Sequence, residues 1–259
     1  MKLAVCVKQV GSLDDEFELR DGAIEDDDVE RELNEWDAVS LEMALRLREA
    51  AGEGEVAVLT VGDEDSEEAL LDCMARGADR GLRIWSPELA GADPLRIAAV
   101  LAAALERESP DLVLCGVQSS DSANGATGAA VAGRLDMPRV AVVKQVEYDP
   151  ESGAATVRRE LEGGTVEVLT LRSPALLTIQ TGSCQPRYAN LRAIRQAREK
   201  PLAVCSLADL GLEAATLPAG SRQRALRLPE SGPGAQMLAG PPAELAAEIK
   251  RIVAERVAR

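Results

Sequence analysis

Histidine is absent from all 259 residues of the chain. That omission excludes Ser-His-Asp and Cys-His nucleophilic catalysis, histidine-ligated metal centres and nucleotidyl transfer by paired histidines. Lysine is scarce as well, with five residues against twenty-four arginines. The formal net charge of -15 argues against a nucleic-acid partner, because phosphate contacts need clustered basic side chains. Cysteines are few and scattered: Cys6, Cys73, Cys115, Cys184 and Cys205 are odd in number and mostly set in apolar segments. They read as buried thiols, not as disulfides or a metal site. No apolar run approaches the ~18 residues of a membrane span, and Lys8 follows too soon after Lys2 for a signal-peptide core. A cytoplasmic chain without a membrane span is expected.

What is present is a folding chain, 46% hydrophobic, with alternating strand and helix signals in its first half. Strands are expected at 2–7, 55–61, 81–85 and 111–115, and helices at 66–76, at 94–105 opened by Pro94, and at 129–135. Trp36, Val39, Met43 and Leu47 share one face of a further helix, with Asn34 placed to cap it. Asp21-Gly22 suits a tight hairpin turn between 16–20 and 23–26. From Val140 the pattern changes to strands at 140–148, 155–161, 165–171 and 175–179, joined by turns at Asp149-Pro150 and Gly163-Gly164, and a short helix is expected at 193–199. The fold class is therefore α/β: an open, mainly parallel sheet with an antiparallel extension. After residue 200 Leu217-Pro218, Pro229 and Gly232-Pro233-Gly234 punctuate an arm that ends in an amphipathic helix at 242–259. Its stripe of Leu245, Ile249, Ile252 and Val253 calls for burial, and packing on a partner chain is expected. Two segments are expected, an α/β domain over 1–200 and the C-terminal arm over 201–259.

The most informative stretch is Gly116-Val-Gln-Ser-Ser-Asp-Ser-Ala-Asn-Gly-Ala-Thr-Gly128, between a strand and a helix. Its glycines let backbone N–H groups approach an anion, and its small hydroxyl residues can donate beside the positive end of a helix dipole. An ordinary βα turn can carry the same pattern.

Arg159-Glu-Leu-Glu-Gly-Gly164, Pro174-Ala-Leu-Leu-Thr178 and Pro186-Arg-Tyr-Ala-Asn-Leu191, together with Val7-Lys8 and Ala75-Arg-Gly-Ala-Asp-Arg-Gly81, occur in one order along the chain. In these motifs it resembles the β subunit of electron transfer flavoproteins. The resemblance implies a sheet of adenine-nucleotide α-hydrolase type that holds AMP in a structural role, and an α subunit that carries FAD. Electrons would pass from acyl-CoA or other dehydrogenases to a quinone reductase, with no catalytic residues in this chain. The matching AMP positions are Cys6, Asn34, Glu35, Trp36, Asp37, Val61 and Gly116 through Thr127, including Gln118, Asp121, Asn124, Gly125 and Ala126. All fall at expected carboxyl ends of parallel strands, where open α/β sheets bind ligands. Asp121 is expected to order the loop, because its charge would repel an anion, and Thr127 to donate to phosphate. The family often has Asn-Gln-Thr-Gly at the end of this loop and Asn-Pro where this chain has Asn34-Glu35. Binding should therefore rest mainly on backbone donors here.

Glu160 matches a family glutamate that reaches toward the α subunit's flavin domain, although the same residue would suit a solvated hairpin. Arg187, Tyr188 and Leu191 match a loop that anchors partner dehydrogenases, with Arg192, Arg195 and Arg198 following as steering charges or as solvated neighbours. Other readings stay open. A bifurcating-type β subunit with a second FAD typically shows Asp-Gly-Asp-Thr-Ala-Gln-Val-Gly-Pro in the loop, where this chain has Asp121-Ser-Ala-Asn-Gly-Ala-Thr-Gly128. An adenine-nucleotide-processing enzyme on the same scaffold would need Ser-Gly-Gly-x-Asp-Ser after the first strand, where Gly11-Ser-Leu-Asp14 stands. A stress-type nucleotide-binding module would not require the mixed-strand extension and the arm.

Overall fold

Leu3 and Val5 lie on one side of the first strand and Ala4 and Cys6 on the other, and all four are buried. Such a strand needs cover on both faces, as in a parallel sheet flanked by helices. The computed structural model, which describes residues 1–13, 17–20, 22–24, 28–228, 232, 234–235 and 237–257, supplies that cover. Its residues divide into two units, Met1–Arg224 and Ala225–Arg259.

In chain order the first unit contains β1 (Lys2–Cys6), β2 (Gln9–Leu13), β3 (Leu19–Arg20), β4 (Ala23–Ile24), β5 (Val29–Leu33), α1 (Glu35–Ala51), β6 (Glu55–Val61), α2 (Glu67–Arg76), β7 (Arg80–Ile84), α3 (Pro94–Glu108) and β8 (Leu112–Gly116). It continues with α4 (Thr127–Arg134), β9 (Arg139–Asp149), β10 (Ala154–Glu160), β11 (Val166–Arg172), β12 (Ala175–Ile179), α5 (Leu191–Ala197) and β13 (Leu202–Cys205). Nine strands form one sheet in the order β11-β10-β9-β12-β8-β1-β6-β7-β13. From β9 to β13 every pairing in that order is parallel, while β10 pairs antiparallel with both β9 and β11. The mainly parallel sheet with an antiparallel extension is thus present.

Leu3 and Val5 join a core with Leu41 and Leu45 of α1 and Leu70 and Met74 of α2. Ala4 and Cys6 join the opposite core with Leu101 and Leu105 of α3 and Val131 of α4. The chain grows from β1 through β6 to β7 on one side, then crosses back to place β8 on the other. This reversal opens a crevice at the carboxyl ends of β1 and β8, the topological switch point at which open α/β sheets take ligands.

The structure differs from the sequence-based expectation in several places. β2 and β5 pair in a small antiparallel ribbon that the pattern did not announce. The hairpin exists as β3 paired with β4, with Gly22 at φ +79, while Glu16, Asp21 and Asp26 lie outside the described residues. α4 begins at Thr127 and α5 at Leu191, each two residues before its expected start. The chain beyond residue 200 does not leave the sheet at once. β13 pairs with β7 at the edge, and Leu207, Leu210 and Leu217 enter the core, so the first unit extends to Arg224. A four-residue apolar strand added at an edge carries too little periodicity to be told from a loop. In the second unit α6 (Pro242–Val257) exposes Ile249 and Val253, and Arg251 pairs with Glu248 and Glu255 along the helix surface. Pro229, Pro233 and Arg259 lie outside the described residues.

Leu114 is fully buried at the centre of β8, level with Val5 of β1 and Leu177 of β12. Leu114→Ala should cost about 3 kcal/mol by leaving a cavity in a layer closed on both sides, read as a lower denaturant midpoint at unchanged slope. A loss below about 1 kcal/mol would show that this part of the core collapses to fill the space.

Candidate functional site at the switch point

Asp37 is buried in the first turn of α1, beneath the ends of β1 and β8. One carboxylate oxygen accepts the backbone N–H of Gly116 at 2.8 Å and the other accepts that of Lys8 at 2.9 Å. A single side chain thereby ties the carboxyl ends of both strands to the helix that follows β5. Gly116 has no alternative at its position. A Cβ there would come within 2.5 Å of Trp36 Cβ and 2.6 Å of Asp37 Oδ1. Burial pushes the Asp37 pKa up to about 6 from 3.8, although the Asn34 amide, the two backbone donors and the Lys8 charge pull the other way.

Asn34 stands at the N-cap position of α1, but its side chain does not cap the helix. Its Nδ2 donates to the Gln118 carbonyl at 2.9 Å and its Oδ1 accepts the Ser120 N–H at 3.2 Å. The expected cap is corrected here because the returning loop presents one donor and one acceptor to a buried position, and a single amide satisfies both. Glu35 and Asp37 in the first turn supply the negative charge that the helix start favours.

Asp121 orders the loop, with Oδ1 accepting the Ser122 N–H at 2.6 Å. Both its oxygens also lie 2.7 Å from Lys8 Nζ, which reaches Ser119 and Ser122 Oγ at 3.4 Å as well. Lys8 is the site residue that sequence reasoning passed over. Its signal was present, since it is one of five lysines and follows the first strand directly. The ion pair cancels the acidic charge that would otherwise face an anion. Past it the loop turns through Ala123 at φ +47 and Gly125 at φ +58, where Asn124 and Gly125 are exposed and Ala126 and Thr127 half-buried at the start of α4. The first N–H groups of that helix have no intrahelical acceptor. Gly128 packs so tightly that a Cβ would sit 2.6 Å from Cys115 Sγ. Backbone N–H groups and small hydroxyls form a donor set suited to a phosphate, and Lys8 offsets the Asp121 charge beside them.

Cys6, Val61 and Gly116 end three adjacent strands, so the structure brings these expected residues to one edge with Asn34, Asp37 and the 116–128 loop. Glu35 is exposed and Trp36 half-buried at the same helix start. Burial pushes the Cys6 thiol up to about 12 and Cys115 well above its ordinary range, so neither supplies a thiolate near neutral pH. A cavity lined by Leu105, Pro110, Asp111, Met137 and Pro174 lies at the amino end of β8, the opposite edge of the sheet. Its Asp111 already accepts the Lys2 backbone N–H at 2.7 Å.

The expected partner-facing residues lie elsewhere. Glu160 ends β10 and forms an exposed ion pair with Lys144, which holds its carboxyl below the usual range. Tyr188 and Leu191 are 87% and 77% exposed. Arg187, between Pro186 and Tyr188, turns inward onto Glu42 and Glu49 of α1.

An open, mainly parallel sheet covered by helices on both faces, with buried polar side chains gathered at its switch point, defines this protein as a doubly wound α/β domain. The model of the electron transfer flavoprotein domain matches residues 21–210. An electron transfer flavoprotein subunit beta from Methylophilus methylotrophus is 42% identical over 261 residues, covering 98% of each chain. The human electron transfer flavoprotein subunit beta is 36% identical over 72% of this chain and 73% of its own. A caffeyl-CoA reductase-Etf complex subunit, CarD, from Acetobacterium woodii is 33% identical over 93% of this chain and 92% of its own. The chain belongs to the electron transfer flavoprotein family, whose work is flavin-associated electron transfer, and the Methylophilus and human relatives are β subunits, which implies an α partner. No described helix is long and apolar enough to cross a membrane.

Asp37 carries a pH signature. Folding raises its pKa, so its contribution to stability is complete below about 3.8 and is lost as the pH rises through about 6. Between about pH 4 and pH 7 the wild type should lose roughly 2 kcal/mol relative to Asp37→Asn, measured by denaturing both at each pH. A difference that stays flat would show that Asp37 titrates in its ordinary range.

Proposed function

We propose that this chain is the β subunit of a heterodimer, holds AMP as a structural group at the switch-point crevice, and braces the FAD-bearing domain of its α subunit. The observation that carries the structural role is the commitment of the crevice's buried polar side chains. Asp37 is spent on the N–H groups of Lys8 and Gly116, and Asn34 on the backbone of residues 118 and 120. These groups fix shape and leave no base aimed at a phosphate. The N–H groups at the start of α4, Thr127 and the Lys8–Asp121 pair would hold the phosphate, with the ends of β1, β6 and β8 under the remainder of the nucleotide.

FAD, bound mainly by the α subunit, supplies the redox chemistry when present. This chain's contribution is presentation. Glu160, on a weak exposed pair with Lys144, can exchange that partner for an arginine of the α subunit, which would bias a mobile domain without locking it. The apolar stripe of α6 would lie on the α subunit. Tyr188 and Leu191 offer a dehydrogenase an aromatic and an aliphatic anchor, and electrons would leave toward a quinone reductase.

The nucleotide content tests the AMP reading. The complex, co-expressed with an α subunit, should release one FAD and one AMP on denaturation, separated by chromatography. Release of two FAD would instead establish a redox site in this chain, and loss of a stable complex would sink both readings. Leu191→Ala should lower kcat/KM for reduction by an acyl-CoA dehydrogenase on the order of tenfold, with FAD content and assembly unchanged. A fall in FAD content would make the loop an assembly element.

A further inference from the structure

Glu42 is a buried carboxylate in the middle of α1. It lies between Leu41 and Met43, is 4% exposed, and stands among mostly apolar buried side chains. A charge at that depth is costly unless paired and hydrogen-bonded. Its partners come chiefly from one loop. Glu42 Oε2 accepts the backbone N–H of Arg187 at 3.2 Å and its Nε at 2.8 Å, and Oε1 accepts Arg187 Nη2 at 3.2 Å and Arg46 Nε at 2.8 Å. About two turns along the helix, Glu49 accepts Arg187 Nη1 at 2.6 Å and Nη2 at 3.2 Å. Burial alone would raise the Glu42 pKa, yet the two arginines hold it below the usual carboxylate range.

The same segment is tied down at further points. Cys184 Sγ lies 3.6 Å from the Val39 carbonyl, and the Arg187 carbonyl accepts from Arg76 Nη1 of α2 at 3.4 Å. Asn190 Oδ1 accepts the Ala193 N–H at 2.9 Å, which caps α5, and Lys200 Nζ beyond that helix donates to the carbonyls of Met74 and Ala78 at 2.8 and 2.6 Å. What this anchored segment displays is apolar: Tyr188 and Leu191 stand almost fully exposed between the fixed points.

We propose that Glu42 and Arg187 are positioning residues for the docking loop: the buried carboxylate fixes Arg187, and Arg187 fixes the backbone that presents Tyr188 and Leu191 to a dehydrogenase. Arg187 therefore acts within the chain and not across the interface. This rests on the docking role assigned to Leu191 above, but the anchoring itself is measurable without any partner. The physical gain is preorganisation, since a loop that is already ordered has less conformational freedom to lose on binding.

The test uses the heterodimer with its α subunit. Glu42→Gln keeps the volume and removes the charge, and it should speed amide hydrogen exchange at residues 188–194 at least tenfold while exchange in β1 and β8 stays as in the wild type. In reduction by a substrate-reduced acyl-CoA dehydrogenase, Arg187→Ala should raise KM about tenfold with kcat within about twofold, and Arg187→Lys should recover part of the loss. The ionic-strength dependence of kcat/KM should keep its wild-type slope in both Arg187 variants, because a charge neutralised inside the chain does not steer a partner. Unchanged exchange at 188–194 in both Glu42→Gln and Arg187→Ala would overturn the anchoring, and a flattened salt slope in Arg187→Ala would place the guanidinium in the interface. If Leu191→Ala leaves kcat/KM untouched, the docking reading fails separately, and the exchange data still decide whether Glu42 orders the loop.

Discussion

The hydrogen bonds from Lys8 and Gly116 to the Asp37 carboxylate are the constraint on which the rest of the site depends. Just past the end of β1 the backbone is still tied to β6, with the Val7 N–H donating to the Leu59 carbonyl at 2.8 Å, but the gap between the segments that leave β1 and β8 is bridged by a side chain. A buried carboxylate with two acceptors closes that gap at the cost of its own desolvation, which appears as the raised pKa. Once the ends are fixed, the position of the 116–128 loop follows, since Gly116 is pressed against Trp36 and Asn34 holds the backbone of residues 118 and 120. The start of α4 then faces the crevice without any further device.

α1 is the shared beam. Its first turn carries Asp37, its middle carries Glu42, and its last turns carry Glu49, so one 17-residue helix fixes both the crevice and the 184–191 loop. The acidic side chains at these positions have different tasks set by their partners. Asp37 receives backbone N–H groups with little compensating charge and stays hard to ionise, whereas Glu42 receives two guanidinium groups and stays ionised. The sign of each pKa change follows from which compensation wins.

Much of this was legible in the sequence, and the part that was not has a physical cause. β1, β6, β8 and β12 are apolar runs long enough to signal buried strands, and Pro94 behind Asp93 marked α3. β13 and the β2–β5 ribbon were missed because strands at an edge or in a small ribbon bury only part of their side chains and leave weak alternation. Asn34 looked like a cap because the residue type fits a cap; only the loop 84 residues later, whose Gln118 carbonyl it meets, reveals its task. Arg187 looked like an interface residue for a similar reason. Its partners are 138 and 145 residues away, and a glutamate inside an apolar helix face was the available hint.

The surface around Leu191 gains a particular electrostatic character from that inward arginine. The chain is strongly acidic, with a net charge of -15, yet Arg192, Arg195 and Arg198 stand exposed beside Leu191. Were Arg187 also free, the loop would present its charge next to Tyr188, and ordering a long flexible side chain on binding would cost entropy. Pairing it with Glu42 and Glu49 removes that cost in advance and leaves the apolar anchors at the tip, with the remaining charge on and just after α5. Steering by charge and anchoring by apolar contact are then separated in space, so the first can set the rate of encounter while the second sets how long the partner stays. On the docking reading proposed above, a carrier that meets a dehydrogenase, accepts electrons and leaves again would draw fast encounter from the arginines and modest residence from the two exposed anchors.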